Sequence, residues 1–526
     1  MSEFILAIDQ GTTGTTALLV GHDLHVHGHH TVDFPQYFPR PDWVEHDPEE
    51  IWASVRKSVL ELLEATGTAS KQIMAIGITN QRETALLWER ADSRPAANAI
   101  VWQCRRSAAI CENLKSQGLE EMYRRRTGLV LDPYFSGTKL TWLFQESAAL
   151  RQRAEDGHLA FGTIDSFLVW RLTGGKTHVS DVANASRTLM MDLQTLDWAD
   201  DLLEPLEVPR AILAEIVPSS QVYGHTAGLD FLADGIPIAG MAGDQQAALF
   251  GQACFEPGQS KCTYGTGAFI LENIGDVPLY SKHGLLTTVA WQLNGKTSYA
   301  LEGSAFVAGA AVQWLRDGLG MIKTSADIEA LARQVADNNG VVFVPALTGL
   351  GAPHWKSEAR GQISGLTRGT TAAHIARATL EGIALQIHDL ALAMADDRGV
   401  AGSILKVDGG GANNDLLMQM QADLLERPVS RPATVETTAL GAAMLAGLAI
   451  GFWDNTQELA ASWQEERCFE PQAESAWREL LLDQWQKAIQ RICRPDPESV
   501  RSEGWERGEK PKARFPPEDL RLTPYA

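Results

Sequence analysis

Several acidic and glycine-rich segments of this 526-residue chain have the residue types needed to handle phosphate groups. The segment Asp9-Gln-Gly-Thr-Thr follows the apolar run 4–8. Glycine permits a tight turn there, and successive backbone N–H groups and threonine hydroxyls can surround phosphate oxygens. The segment lacks the Gly-Lys-Ser/Thr ending of a P-loop, so an ordinary hairpin with a polar turn is the alternative. An aspartate at the tip of a strand can also hold Mg²⁺, directly or through water.

Two further glycine turns occur later in the chain. Residues 264–267 read Tyr-Gly-Thr-Gly, and residues 408–411 read Asp-Gly-Gly-Gly. Each turn follows a short apolar run, as residues 9–13 do. Any one of them is a weak signal, but the three together predict a nucleotide clamped between two domains.

Asp244 stands in the segment Gly-Asp-Gln-Gln, directly after another apolar run. A hydroxyl that attacks phosphorus must lose its proton, and an aspartate within about 3 Å can accept it. The alternative is that Asp244 caps a helix that begins at Gln245.

Arg82 and Glu83 follow the apolar run 73–78. Adjacent at a strand end, they offer hydrogen-bond donors and acceptors to the hydroxyls of a polyol, with a surface ion pair as the alternative. Five histidines lie between residues 22 and 30. A metal site would need their rings to converge with more ligands, so a solvated strand and turn is expected there.

The elements that must position these residues alternate between strands and helices. Asp47 and Pro48 supply an N-cap and a first-position proline for a helix over Glu50–Ala65. Residues Thr371–Met394 have helical apolar spacing with few breakers. This alternation predicts an α/β architecture. Because strand–glycine-turn units recur in both halves, we expect an internal duplication of a nucleotide-binding domain.

Composition sets the outer limits of this interpretation. The 45 Lys and Arg against 66 Asp and Glu give a net charge of −21, which argues against nucleic acid or an anionic membrane surface as partner. The length exceeds one core, and we predict domains over 1–252 and 253–493, followed by a proline-rich charged tail over 494–526. No apolar stretch predicts a membrane span, and the first residues do not read as a signal peptide. The six widely spaced cysteines indicate reduced thiols and a cytoplasmic protein.

Taken in order, these motifs identify a resemblance that runs from Ile5 to about Trp453. The chain resembles the FGGY family of carbohydrate kinases, and within it the branch that acts on glycerol rather than on xylulose or gluconate. Two family-wide patterns are met, one from Tyr134 to Glu146 and one from Gly361 to Glu381. The other segments that carry the resemblance are 9–13, 43–48, 80–84, 102–106, 127–139, 181–188, 242–251, 264–267, 301–303, 349–353 and 438–443.

The resemblance implies two actin-like (ribonuclease H-like) ATPase domains with an interdomain cleft. It also implies an enzyme that uses ATP and Mg²⁺ to phosphorylate glycerol to sn-glycerol 3-phosphate by in-line transfer, with Asp244 as general base. A homodimer or homotetramer is expected. The residues implied to bind the polyol are Arg82, Glu83, Trp102, Tyr134, Asp244, Gln245 and Phe269. Those implied for the nucleotide are Thr12, Thr13, Gly14, Thr266, Gly309, Gln313, Gly410 and Asn414, with Asp9 and Asp244 as metal neighbours.

This sequence departs from the family pattern at three places. Thr16 stands where the family usually has an arginine near the phosphates, and Lys356 follows Trp355 where the family has aspartate. The Gly-Thr-Arg loop that serves fructose bisphosphate in some bacterial members reads Ala-Asp-Gly at 233–235, which argues against that regulation. Two alternatives therefore stay open: a kinase for another small polyol or sugar, and a catalytically weak sensor of polyol and nucleotide. An actin-like filament or chaperone ATPase is disfavoured by the substrate-pocket residues.

Overall fold

Strands and helices alternate through the first half of the chain. The computed structural model describes residues 3–356 and 358–493. The strands of the first half are β1 Phe4–Gln10, β2 Gly14–Val20, β3 Val26–Asp33, β4 Glu45–His46, β5 Ile73–Asn80, β6 Leu86–Glu89, β7 Ala99–Ile100, β8 Leu159–Gly162, β9 Val179–Asp181, β10 Met191–Asp192, β11 Asp197–Trp198, β12 Glu215–Val217, β13 Ser220–His225 and β14 Pro237–Gly243. Its α-helices are α1 Pro48–Thr66, α2 Ala108–Ser116, α3 Glu120–Thr127, α4 Ser136–Glu146, α5 Ala148–Glu155, α6 Ile164–Leu172, α7 Val182–Ala185, α8 Asp200–Leu206 and α9 Asp244–Gly251.

The second half alternates in the same way. Its strands are β15 Ser260–Tyr264, β16 Ala268–Gly275, β17 Leu286–Leu293, β18 Lys296–Ala305, β19 Val342–Val344, β20 Gln362–Ser364, β21 Leu405–Asp408, β22 Val429–Pro432 and β23 Glu465–Phe469. Its α-helices are α10 Gly309–Gln313, α11 Asp327–Ala332, α12 Ala372–Arg398, α13 Asp415–Leu425, α14 Thr437–Ile450, α15 Thr456–Ser462 and α16 Ser475–Ile492.

Two large sheets share one layout. The first has the order β13-β14-β5-β1-β2-β3, and the second has the order β17-β18-β16-β15-β21-β22-β23. In each, three antiparallel strands (β1 to β3, and β15, β16 and β18) are extended by two parallel ones (β5 and β14, and β21 and β22). The central strands are buried, which fits their nearly continuous apolar sequences. The α/β prediction is confirmed, and the repeated layout is the one expected of a duplication.

The parallel strands deliver polar residues to one edge of each sheet. Strands β1, β5 and β14 end near Asp9, Asn80 and Gly243, and β15 and β21 end at Tyr264 and Asp408. In open α/β sheets, ligands bind outside the carboxyl ends of the strands.

Helix α14 joins the two halves. Although it lies late in the sequence, it packs on β5 and β14 of the first sheet and on α9. The approach is close because glycines face backbone: a Cβ on Gly441 would come within 1.9 Å of the Ala247 carbonyl, and one on Gly77 within 2.1 Å of the Ala442 carbonyl. One apolar cluster contains residues of β1, β2, α9 and α14 together.

The two predicted helices are present, with small differences at their ends. Helix α1 begins at Pro48, and the Asp47 carboxylate accepts a hydrogen bond from the Glu49 N–H at 2.8 Å, as predicted. Helix α12 continues past the predicted Met394 to Arg398, where Gly399 ends it with φ of 71°. Helix α9 begins at Asp244 itself, one residue before the predicted start.

All six cysteines are free thiols, four of them buried. His25, His27 and His29 are exposed on or beside the edge strand β3. Across residues 3–356 and 358–493, no helix has the length and apolar character needed to cross a bilayer. The predicted tail, residues 494–526, lies outside the described residues.

Candidate active site

The first phosphate-binding turn predicted from sequence connects β1 to β2. A hydrogen bond closes this turn: the Gly11 N–H donates to the Gly14 carbonyl at 2.9 Å. The Gln81 side chain donates to the Gly11 carbonyl at 3.2 Å. The indole N–H of Trp102 donates to Thr12 Oγ1 at 2.9 Å, which ties the turn to the predicted polyol site.

The second predicted turn, at Thr266, is joined to the start of α10. The Thr266 carbonyl accepts hydrogen bonds from the N–H groups of Ala308 at 2.9 Å and Ala310 at 3.0 Å. Gly309 donates to the Gly265 carbonyl, and a Cβ at Gly309 would lie 2.6 Å from that oxygen. Only glycine fits there without displacing the turn. Thr266 and Gly309 are therefore brought together.

The third turn lies on the second. Gly409 and Gly411 both pack on Tyr264, where a Cβ would come within 2.7 to 2.8 Å of Tyr264 atoms. A Cβ at Gly410 would meet nothing within 4 Å, so this face is open for a ligand. Asn414 is the N-cap of α13, and its side-chain oxygen accepts the Leu417 N–H at 2.9 Å. Gln313 is exposed at the end of α10, and its side chain makes no hydrogen bond to these turns in the described part of the chain.

Asp9 and Asp244 form a carboxylate pair at the carboxyl ends of β1 and β14. Burial, followed by the nearby charges of Asp244 and Glu436, raises the pKa of Asp9 to about 8. A cation placed beside Asp9 would favour its ionised form. In the described ranges, no cluster of three or more His, Cys, Asp or Glu could enclose a metal. Two carboxylates with substrate phosphates and water are the usual environment of Mg²⁺, so these residues fit that ion.

The predicted polyol residues converge beside this pair. Arg82 Nε lies 3.1 Å from Asp244 Oδ1, and Arg82 Nη2 donates to the Tyr134 hydroxyl at 3.4 Å. The Trp102 ring lies 5.7 Å from that of Tyr134 and 6.4 Å from that of Phe269, at steep angles in both cases. The Asp244 side chain is 29% exposed, whereas Arg82 is buried. Asp244 therefore presents a partly exposed carboxylate beside Arg82, which also contacts the Tyr134 end of the aromatic group.

Buried charges hold Arg82 and Glu83 from behind. Arg82 donates to Glu302 at 2.5 and 3.0 Å, Arg187 donates to Glu302 at 3.0 Å, and Arg187 donates to Glu83 at 2.7 Å. Burial alone would raise the pKa of Glu302, but Arg187 and Arg82 outweigh it and hold that pKa at about 2. The alternative that Arg82 and Glu83 form a surface ion pair is wrong, since both side chains are buried.

Comparisons with known proteins agree with this geometry. Residues 4–251 match the N-terminal domain of the FGGY family of carbohydrate kinases, and residues 260–450 match its C-terminal domain. The chain belongs to the FGGY family of carbohydrate kinases. The resemblance inferred from the motifs is thereby confirmed, and so is the expectation of a kinase.

The relatives of this FGGY kinase cover almost its whole length. It is 57% identical over 492 residues to the glycerol kinase of Myxococcus xanthus, covering 93% of this chain and 99% of the relative. It is 54% identical to that of Geobacillus kaustophilus, with the same coverage. A crystal structure of Plasmodium falciparum glycerol kinase with ADP superposes with a TM-score of 0.87 at 34% identity, covering 94% of this chain and 99% of that one. This similarity confirms the predicted two-domain actin-like fold.

Three residues of the kinase site escaped the sequence reasoning. Glu302 and Arg187 lie in segments that carried the family resemblance, but no pattern in the sequence pairs them with Arg82 and Glu83. Lys261, on β15, is fully buried and donates to the side chain of Gln245. The available signal was a lysine within a strand, Lys261, and an arginine in the turn after α7, Arg187, because buried cations need partners.

The departures at Thr16 and Lys356 lie in different places. Thr16 pairs with Asp9 in the β1–β2 register, and its hydroxyl hydrogen-bonds that of Thr31 at 2.9 Å. Lys356 lies close enough to Cys493 to affect the thiol's pKa. Among the described residues, no hydrogen bond or ion pair joins Lys356 to the phosphate turns.

Proposed function

We propose that this kinase transfers the γ-phosphoryl group of ATP to a terminal hydroxyl of glycerol, giving sn-glycerol 3-phosphate and ADP. One observation carries the proposal: buried Arg82 contacts both the Asp244 carboxylate and the Tyr134 hydroxyl, and the Tyr134 ring packs beside Trp102. The Trp102 ring in turn lies beside that of Phe269. An uncharged triol needs several paired hydrogen bonds and a dry wall along its carbons, and these residues supply both. The high identity to proteins named glycerol kinase supports the same substrate.

The polyol site discriminates through its buried polar groups. Arg82, Glu83, Tyr134 and Gln245 are all buried, so a substrate that lacks a hydroxyl leaves a donor or acceptor without a partner. Sites of this kind reject the deficient analogue strongly. Glu83 adopts a left-handed backbone conformation with φ of 57°, which is uncommon for a residue other than glycine. The contact of its carboxylate with Arg187 keeps it in place.

Asp244 is proposed as the general base. As the glycerol oxygen attacks phosphorus, its O–H proton passes to the Asp244 carboxylate, an O–P bond forms, and the bond between phosphorus and the ADP oxygen breaks. Arg82, 3.1 Å away, keeps Asp244 oriented. Phosphoryl transfer requires positioning and charge stabilisation more than covalent chemistry.

The nucleotide is proposed to lie across the three turns, with phosphates near Thr12, Thr13, Gly14 and Thr266. Thr266 and Gly309 are supported by their close packing, and Gly410 is supported by the open face beside it. Gln313 and Asn414 rest on the family resemblance alone. Mg²⁺ would be held at Asp9 and Asp244, where it would neutralise phosphate charge. ATP use and six free thiols support a cytoplasmic location. We also propose a homodimer or homotetramer, and light scattering would measure the mass that distinguishes them.

Steady-state turnover tests the proposal. The protein is assayed with Mg-ATP and a panel of glycerol, dihydroxyacetone, erythritol and pentuloses. We expect the highest kcat/KM on glycerol. A higher kcat/KM on a sugar would identify that sugar, rather than glycerol, as the substrate. ATP binding without phosphorylation of any polyol would favour the sensor alternative.

A further inference from the structure

A buried lysine outside the predicted site makes contact with one of its residues. Lys261 is the second residue of β15, and none of its surface reaches solvent. Its ammonium group donates to Gln245 Oε1, and to Thr263 Oγ1 at 2.8 Å. Within the described ranges, no carboxylate lies within salt-bridge distance of Lys261, whereas Arg82 and Arg187 both form ion pairs at this site. Burying a cation in this way is costly, so its hydrogen bonds matter.

The contact determines which way the Gln245 amide points. The oxygen and nitrogen atoms of a glutamine amide have similar size and geometry, so their assignment follows from their hydrogen-bond partners. An ammonium group can only donate, so the atom it contacts must be the carbonyl oxygen. The NH₂ group of Gln245 then points away from Lys261. The NH₂ group has no hydrogen-bond partner in the part of the chain that the structure describes. It is nevertheless not one of the fully buried side-chain atoms that lack a partner.

The chemistry of the neighbours makes this orientation useful. Gln245 follows Asp244 in α9, and its backbone N–H donates to Asp244 Oδ1 at 2.7 Å. When Asp244 and Glu83 are ionised, their carboxylates can accept hydrogen bonds from a hydroxyl but cannot donate any. A hydroxyl that donates to one of them still has lone pairs, and the Gln245 NH₂ group can donate to those. If the amide were reversed, its oxygen would compete with the carboxylates as a further acceptor.

We propose that Lys261 is a positioning residue, which holds the Gln245 side-chain oxygen and so directs the NH₂ group of Gln245 toward the polyol. This proposal rests on the proposed function. It also links the two sheets, since Lys261 lies on β15 of the second sheet and α9 follows β14 of the first. Burial lowers the pKa of Lys261, while Asp408 and Asp244 oppose that effect and favour the charged form.

The first test is Lys261→Met, which removes the ammonium group and keeps most of the unbranched side chain. The loss of one oriented donor in a buried site predicts a glycerol KM about ten- to hundredfold higher. The KM for ATP should stay within about twofold, because the proposed role concerns the polyol alone. A changed ATP KM with an unchanged glycerol KM would place Lys261 at the nucleotide and overturn the proposal.

A double-mutant cycle separates positioning from general damage. If Lys261 acts through Gln245, the pair Lys261→Met with Gln245→Ala should bind glycerol no more weakly than Gln245→Ala alone. If the double variant weakened glycerol binding by the product of the two single-variant factors, the proposal would be refuted, because Lys261 would then act independently of Gln245. Isothermal titration with glycerol gives the same comparison without turnover.

Lys406→Met is the matched control. Lys406 pairs with Lys261 across β15 and β21, but its ammonium group donates to the Gln252 carbonyl at 2.6 Å and lies 3.9 Å from the Trp463 ring centre. We expect this change to leave the glycerol KM within about twofold. An equal rise in both variants would mean that sheet damage explains the effect. If the unaltered protein phosphorylates another polyol instead, the proposed function fails by itself, and the cycle is run with that polyol.

Discussion

Replacing Glu302 by glutamine removes the charge that holds two arginines behind the polyol site. Glu302 is fully buried, and it accepts hydrogen bonds from Arg82 at 2.5 and 3.0 Å and from Arg187 at 3.0 Å. Its pKa lies at about 2 instead of 4.5. At about 1.4 kcal/mol for each pH unit between those values, the interaction contributes roughly 3 kcal/mol. Breaking a buried ion pair from one side costs about 3–5 kcal/mol, which is the same range.

The sign of the pH dependence follows from the lowered pKa. Stabilisation by Glu302 is fully present above pH 4.5 and is lost as the pH falls through about 2. At pH 7 the Glu302→Gln variant should therefore show the whole loss. We expect its urea unfolding midpoint to be clearly lower than that of the unaltered protein. The glycerol KM should rise as well, because Arg82 loses its anchor.

Glu121→Gln is the control for this experiment. Glu121 also pairs with an arginine, Arg125, at 2.6 Å, but the two side chains are 62% and 76% exposed. Exposed pairs contribute about 0–1 kcal/mol, so this midpoint should hardly move. If Glu302→Gln unfolds at the same urea concentration as the unaltered protein and keeps its glycerol KM, the buried charge network does not hold the site.

Three further predictions concern the reacting groups. Asp244→Asn should lower kcat by about 10²–10⁴, the usual contribution of a general base, while calorimetry finds glycerol binding within about tenfold; a near-normal kcat would remove Asp244 from that role. Thr16→Arg should leave kcat equal or higher in the same assay, because it restores a cation beside Asp9; a large fall would mean that the turn has adapted to threonine. Asp9, with a pKa of about 8, is mostly protonated at pH 7, so binding of Mg-ATP should release close to one proton there. Calorimetry in buffers of different ionisation enthalpy measures that release, and a release that persists in Asp9→Asn would exclude Asp9 as its source.

The local features of the fold were predictable because local chemistry specifies them. The Asp47 cap and the three glycine turns need particular backbone geometries, and the residues that provide those geometries are adjacent in sequence. The apolar run that ends in Gly-Asp likewise predicted where β14 ends, at Gly243, with Asp244 as the next residue.

The partners of the site residues were not predictable, because distance in sequence separates them. Arg82 and Glu302 are 220 positions apart, and Arg187 reaches both Glu83 and Glu302. No periodicity or spacing relates residues so far apart. The orientation of Gln245 depends in the same way on a lysine from a different sheet. Sequence therefore named the residues that we predict to face the substrate, and the structure shows which residues contact them.

The position of α14 also affects how the chain is made. The face of the first sheet that carries Ile5, Ala7 and Ala239 is covered by Ala443, Met444 and other residues of α14. Helix α9 contributes to the same apolar cluster, but α14 cannot cover this face until residues 437–450 have left the ribosome. The first half of the newly made chain therefore carries an exposed apolar surface for as long as the second half takes to emerge, a condition that favours aggregation. A fragment that ends before Thr437 keeps that surface permanently, so the two halves are not separable units even though their sheets repeat.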